Sequence, residues 1–449
     1  MKKSKNTIDM MHGTLWNKIL LFALPLAASS ILQQLFNSVD TAVVGRFASS
    51  RALAAVGSTS SFISLMINLF IGISLGSNVV IAHYIGQKVE KNIQAAIHTA
   101  ITVALIGGCF VMILGQFIGR PVLILMGTPE DVIDLAVQYL RIYFLGMPFI
   151  LLYDFGSSIL RSTGDSRRPL YSLIVAGILN TVLNLILVIV FQMGVAGVAI
   201  ATVVSNIVSS GIVMWILMRE PEPVRFTLRK LTINGKELWK ILSIGVPAGL
   251  QGMVFSLANV CIQSTINSFG SDAVAGSAAA LNYEFFAYFI VNAFAQTTVT
   301  FTSQNYGAGE YDRCRKIFRI NMTFSMVFCG LLSAVFVLGR SFFLGLYTTD
   351  ASVLEYATTR LVIATTLELL TSTYEISGGA MRGLGHSLQP ALITVFGSCV
   401  LRLIWISTVC VAVHEFWVLI IIYPISWVVT GIIMIVSYLR LRKKMLTKN

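Results

Sequence analysis

Long apolar runs recur along the chain from Trp16 to Arg440, and this recurrence restricts the fold more than any single residue does. A helix of about 20 apolar residues spans the hydrocarbon core of a bilayer. Twelve such stretches are legible: 16–43, 54–82, 93–119, 135–160, 169–191, 194–218, 239–266, 274–303, 316–343, 353–381, 389–412 and 416–439. Only 12% of the 449 residues are charged, against about 25% in soluble domains. The chain reads as an all-α integral membrane protein, with no stretch long enough for a separate soluble domain.

Lys and Arg set the orientation of such a chain. The N-terminus, the even-numbered connections and the C-terminus together hold about 25 of the 32 positive residues, and the odd-numbered connections about 6. Both termini are therefore predicted to be cytoplasmic. The net charge of +12 is a topology and anionic-lipid signal that requires no nucleic-acid partner. The most polar connection, with Glu220-Pro221-Glu222-Pro223, divides the chain into an N-terminal lobe (1–218), a linker (219–238) and a C-terminal lobe (239–449).

The two halves repeat. Tyr153-Asp154, Arg161, Gly164, Ser166 and Pro169 recur as Tyr374-Glu375, Arg382, Gly385, Ser387 and Pro390, every pair at the same separation. Pro25 and Asn37 recur as Pro247 and Asn259, at a separation longer by a single position. Six spans per half is an even number, so both halves enter the membrane from the same side, as in transporters built from parallel repeats. The repeat also argues that the Lys-flanked run at 1–29 is a permanent helix and not a cleaved signal.

Few acids fall inside the spans: Asp40, Asp154, Glu284, Glu368 and Glu375. An intramembrane acid is expensive, about 2.5–3.5 kcal/mol on insertion scales, and marks ion coupling or a cationic substrate more often than not. Intramembrane bases are fewer, Arg402 with Arg141 and Arg360 near span ends, so the core favours cations. Asp154 and Glu375 each stand two helical turns before an Arg (Arg161, Arg382), which suits a gating or structural role. Glu284 and Glu368 lie deeper. Tyr283 and its aromatic neighbours beside Glu284 suit an amphipathic cation, or simple packing. Asn180 and Asn184 share one helix face. With Tyr139 and Thr202 they can join Asp40 in a proton or ion site, or only bond helix to helix. Pro25 and Pro247 mark kinks, since proline lacks the amide donor.

Cys109, Cys261, Cys314, Cys329, Cys399 and Cys410 form no Cys-x-x-Cys pair, and they read as small buried hydrophobes. No zinc, haem or Walker-type motif and no nucleophile elbow is present, so no metal, cofactor or enzyme activity is predicted.

Gln34-x-x-Asn37-x-x-Asp40-x-x-x-x-Gly45 followed by Ala52-Leu53-Ala54-Ala55-Val56-Gly57 resembles the multidrug and toxic compound extrusion (MATE) family. Arg161-x-x-Gly164-Asp165, Arg382-Gly383-x-Gly385 and Gly194-x-x-Gly197-x-x-x-Ala201-Thr202 share the resemblance, which covers essentially the full chain. It implies twelve helices in two pseudo-symmetric six-helix lobes and alternating access. It also implies cation-coupled export of amphipathic, often cationic compounds from a multi-pass cell-membrane protein working as a monomer. Asp40, with Tyr139, Asn180, Asn184 and Thr202, takes the coupling role. Gln34, Asn37, Tyr283, Glu284 and Glu368 are assigned to the substrate cavity. The sequence departs from the family pattern at Asn184, Phe255 and Thr371, where relatives carry acids. This makes a proton the preferred coupling ion over sodium. A flippase for lipid-linked saccharides is the alternative, but it would favour a cationic cavity.

Overall fold

In a computed structural model of the chain, residues 7–446 are described, and most of them are helical. The first half runs α1 (Leu15–Phe47), α2 (Ser50–Gln87), α3 (Glu90–Leu125), α4 (Glu130–Leu145), α5 (Met147–Ser162), α6 (Arg167–Asn184) and α7 (Gly194–Arg219). The second half runs α8 (Gly235–Asn267), α9 (Ser271–Gly307), α10 (Tyr311–Leu338), α11 (Arg340–Gly345), α12 (Ala351–Arg360), α13 (Thr371–Gly383), α14 (Leu388–Thr394), α15 (Leu401–Ala412), α16 (Phe416–Ile420) and α17 (Ile422–Leu446). The repeat is visible in the helix starts. Ser50, Glu90, Glu130 and Arg167 have their counterparts in Ser271, Tyr311, Ala351 and Leu388, all at the separation that relates Tyr153 to Tyr374.

Among the described residues, ten helical segments are long and apolar enough to cross a membrane. An eleventh crossing is the pair α4 and α5, bent by 47° where Gly146 and Pro148 end one hydrogen-bond ladder and start the next. The predicted span 353–381 is also broken. From α12 it passes through a π-helical turn, Leu361–Thr365, and a 3-10 turn, Glu368–Leu370, into α13. Counting this segment as one crossing completes twelve. Both interrupted crossings occupy the same place in the repeat.

The Arg-x-x-Gly motif of each half stops a helix. Gly164 and Gly385 have φ of +99° and +88°, a left-handed conformation that glycine adopts without Cβ strain. The chain then folds back, with Asp165 N–H donating to Leu160 O at 3.1 Å and His386 N–H to Met381 O at 2.9 Å. Among the cysteines, Cys314, Cys329, Cys399 and Cys410 are buried as expected, whereas Cys109 and Cys261 are exposed. Lipid tails are as apolar as a protein core, so an outward thiol on a spanning helix carries no penalty that sequence could register.

The compact units are not the halves that the repeat delimits. Among the described residues, one unit contains 7–9 and 28–249, the other 10–27 and 250–446. The division falls inside α1 and α8, two or three residues after Pro25 and Pro247, and not in the linker 219–238. In the first unit α2 meets the early part of α8 backbone to backbone. A Cβ on Gly76 would stand 2.9 Å from Gly245 N, and one on Gly249 would stand 2.9 Å from Leu69 Cα. Small residues spaced by four allow helices in lipid this close approach. The second unit has its own core, in which Tyr374, Met381, Trp427 and Met434 are buried.

Candidate functional site

In the first unit, α1 presents Gln33, Phe36, Asn37 and Asp40 at spacings of three and four, hence on one face. These four residues line a cavity of about 160 Å³, ample for several waters. From α6 and α7 come Asn180, Thr202, Ser205, Asn206 and Ser209, and Tyr143, Tyr153 and Asp154 complete the polar lining. Asn184 donates its amide to Asp40 Oδ1 and also, at 3.1 Å, to Asn180 Oδ1. The Asn184 Oδ1 atom is buried and has no hydrogen-bond partner among the described residues. Asn184 closes α6, and the π-helical turn Leu185–Val190 follows it directly. Such turns are rare and frequently sit at functional sites.

The residues assigned from sequence divide around this cavity. Asp40, Asn37, Asn180, Thr202 and Asp154 line it. Tyr139 is buried, its ring 6.0 Å from that of the lining residue Tyr143. Gln33, not Gln34, is among the lining residues, because a one-residue step turns a helical side chain by about 100°. Arg161 donates to Ser158 Oγ at 3.1 Å and acts on Asp154 through its charge. Phe36, Tyr143 and Asn206 do not stand out in the sequence. Asn206 lies one turn beyond Thr202, and that i,i+4 spacing is a signal that could have found it.

The second unit treats its acids differently. Arg360 clamps Glu284 with two parallel bonds, Nε to Oε1 at 2.7 Å and Nη2 to Oε2 at 2.9 Å. Its third nitrogen donates to Ser277 Oγ at 2.6 Å. The Arg360 guanidinium lies 5.3 Å, and that of Arg402 4.6 Å, from the Tyr423 ring centroid. Arg402 also donates to Ser426 Oγ at 2.9 Å. Both arginines are fully buried. The predicted cation partner of Glu284 is therefore one of the protein's own side chains. The long guanidinium side chain reaches inward from a position that the sequence places at a span end. Tyr283 is packed against Phe336 and Phe343, and its hydroxyl donates to Phe343 O at 2.6 Å. Glu368 is buried in the 3-10 turn, within electrostatic reach of Glu284, Arg402 and Arg360. The core of this unit is thus not rich in acids alone.

Glu375 accepts from Tyr288 Oη at 3.2 Å, and Arg382 donates to Gln251 Oε1 at 2.6 Å. In each pair the Arg acts on the acid through its charge while its hydrogen bond goes elsewhere, Arg161 to Ser158 and Arg382 to Gln251. Pro25 lies inside α1.

The MatE family model matches residues 25–186 and again 247–406, the two halves of the repeat. A probable multidrug resistance protein of Bacillus subtilis, YoeA, is 31% identical over 402 residues, covering 88% of this chain and 85% of the relative. The probable multidrug resistance protein NorM of Thermotoga maritima is 26% identical over 399 residues, covering 86% and 84%. A crystal structure of MATE in the bent conformation superposes with a TM-score of 0.91 at 22% identity, covering 100% of this chain and 99% of that one. With the twofold match of its halves, the chain belongs to the MatE family, the multidrug and toxic compound extrusion transporters.

Proposed function

We propose that this protein is a secondary antiporter that exports amphipathic, often cationic small molecules by alternating access in exchange for protons, with Asp40 as the coupling acid. The observation that carries this reading is the partner set of Asp40 among the described residues: the neutral side chains of Asn184, Thr202 and Asn180, and no bonded cation, around a carboxylate that lines a cavity. Protonation of a carboxylate held by Arg would strand a buried charge, whereas protonation of one held by Asn does not. Asp40 can therefore take up and release a proton while its surroundings stay intact. The names of the relatives, multidrug resistance proteins in both cases, support the substrate class. A membrane potential of 100 mV contributes about 2.3 kcal/mol per charge moved, enough to bias the cycle.

The test is transport in proteoliposomes under an imposed proton or sodium gradient, with a fluorescent organic cation as substrate. A proton gradient is expected to drive uptake, and Asp40→Asn to abolish it at unchanged protein abundance. Full activity of Asp40→Asn, or drive by sodium alone, overturns the coupling assignment.

A further inference from the structure

The ends of α10 and α17 carry a basic cluster that the transport reading does not use. Arg315, Lys316 and Arg319 stand near the start of α10, and Arg440 and Arg442 near the end of α17. Stacking of Phe318 on Tyr438, with centroids 4.3 Å apart, joins the two helices here. Arg442, Arg315 and Arg319 all lie within electrostatic reach of Tyr438, so bases from both helices converge on one point. Lys316, Arg319 and Arg440 are exposed. The acid Asp312 reaches Arg315 only at 3.4 Å and is 83% exposed. The Nε of Arg315 is buried and has no hydrogen-bond partner among the described residues.

The pseudo-equivalent place in the first unit shows what such a position accepts. By the register of the repeat, Gln94 stands where α10 has Arg315, and His98 where it has Arg319. Those positions are covered by the chain itself. Beyond α7 the linker folds back, and Gln94 donates to the Glu222 carboxylate. His98 Nε2 accepts from Thr227 N–H at 3.2 Å, and Phe226 packs on its ring at 5.4 Å. In the second unit, α17 continues as a helix and carries Arg442 and Lys443 where the linker carries Pro221 and Glu222.

We propose that the α10–α17 cluster is a binding site for the headgroup of an anionic phospholipid, whose phosphate takes the place that the Glu222 carboxylate occupies in the first unit. Guanidinium groups bind phosphate through paired N–H donors, and Arg315 has a donor to spare. The cluster lies at the ends of apolar helices, at headgroup depth, where acidic lipids are concentrated and attract basic residues. This proposal is independent of the transport reading.

The test is native mass spectrometry of the full chain in detergent with short-chain phosphatidylglycerol, phosphatidylcholine or inorganic phosphate. The wild type is expected to retain phosphatidylglycerol about tenfold more than phosphatidylcholine. Arg315→Gln/Arg319→Gln/Arg442→Gln should remove that preference. Arg319→Gln alone, at an exposed position where folding is not at stake, should lower it several-fold. Arg229→Gln/Lys230→Gln/Lys236→Gln removes the same charge from the linker and should leave it intact. Equal retention of both lipids overturns the site. Equal loss in the linker variant, or full displacement by equimolar inorganic phosphate, also overturns it.

Discussion

The deep carboxylates of the two units, Asp40 in the first and Glu284 in the second, sit on one architecture and meet opposite electrostatic solutions. Asp40 is held by the amide of Asn184, Glu284 by a bidentate guanidinium. The repeat makes the contrast sharp. In its register the counterpart of Asp40 is Ile262, and the position that Arg360 holds in the second unit belongs to Tyr139 in the first. Backbone symmetry has been kept while the ionisable chemistry has not. An acid with neutral partners can change its charge state with little disturbance. An acid locked to a buried Arg holds its charge and acts as a structural brace.

The strongest way to break this comparison is to remove one member of the brace. Arg360→Ala leaves Glu284 buried without a counter-charge and should destabilise the protein by about 3–5 kcal/mol, read as thermal unfolding in detergent. Adding Glu284→Gln to it should recover much of the loss. If the single and double variants unfold alike, Arg360 and Glu284 are not coupled. A smaller effect is expected in the first unit. A Cβ on Gly177 would run into the Phe36 ring, and both residues line the Asp40 cavity. Gly177→Ala should cost about 1–3 kcal/mol by overpacking and push Phe36 into the cavity. Transport should fall with it, and Phe36→Leu added to Gly177→Ala should restore part of the activity. Unchanged transport in Gly177→Ala would remove Phe36 from the cavity wall. The smallest effect belongs to a surface pair. Arg120 and Asp134 meet at 2.9 Å but are 53% and 80% exposed, so Arg120→Ala should shift stability by less than about 1 kcal/mol. A shift as large as that of Arg360→Ala would mean that burial is not what separates the two ion pairs.

Much of the first site was legible because helical periodicity carries it. Asn180 and Asn184 share a face at i,i+4, and so do Phe36 and Asp40. The choice between Gln33 and Gln34 was lost because it depends on how α1 is rotated about its axis, which neighbouring helices decide. The pairing of Glu284 with Arg360 was not legible for a different reason. Arg360 and Glu284 stand on different helices, far apart in the chain, and no local pattern ties them. A single chain also does not say how far a guanidinium on a flexible stem reaches.

What the sequence determined by itself is the membrane class, the order of crossings and the repeat. Each rests on composition or on fixed spacing along one chain, and lipid enforces both by requiring every backbone group to be bonded within a helix. Tertiary structure alone decided which acids keep neutral partners and which are braced. It also decided that α1 and α8 each divide between the compact units just past Pro25 and Pro247. Those outcomes depend on contacts between residues far apart in the chain, where the strength of an ionic or amide partner is set by distance and burial, not by order.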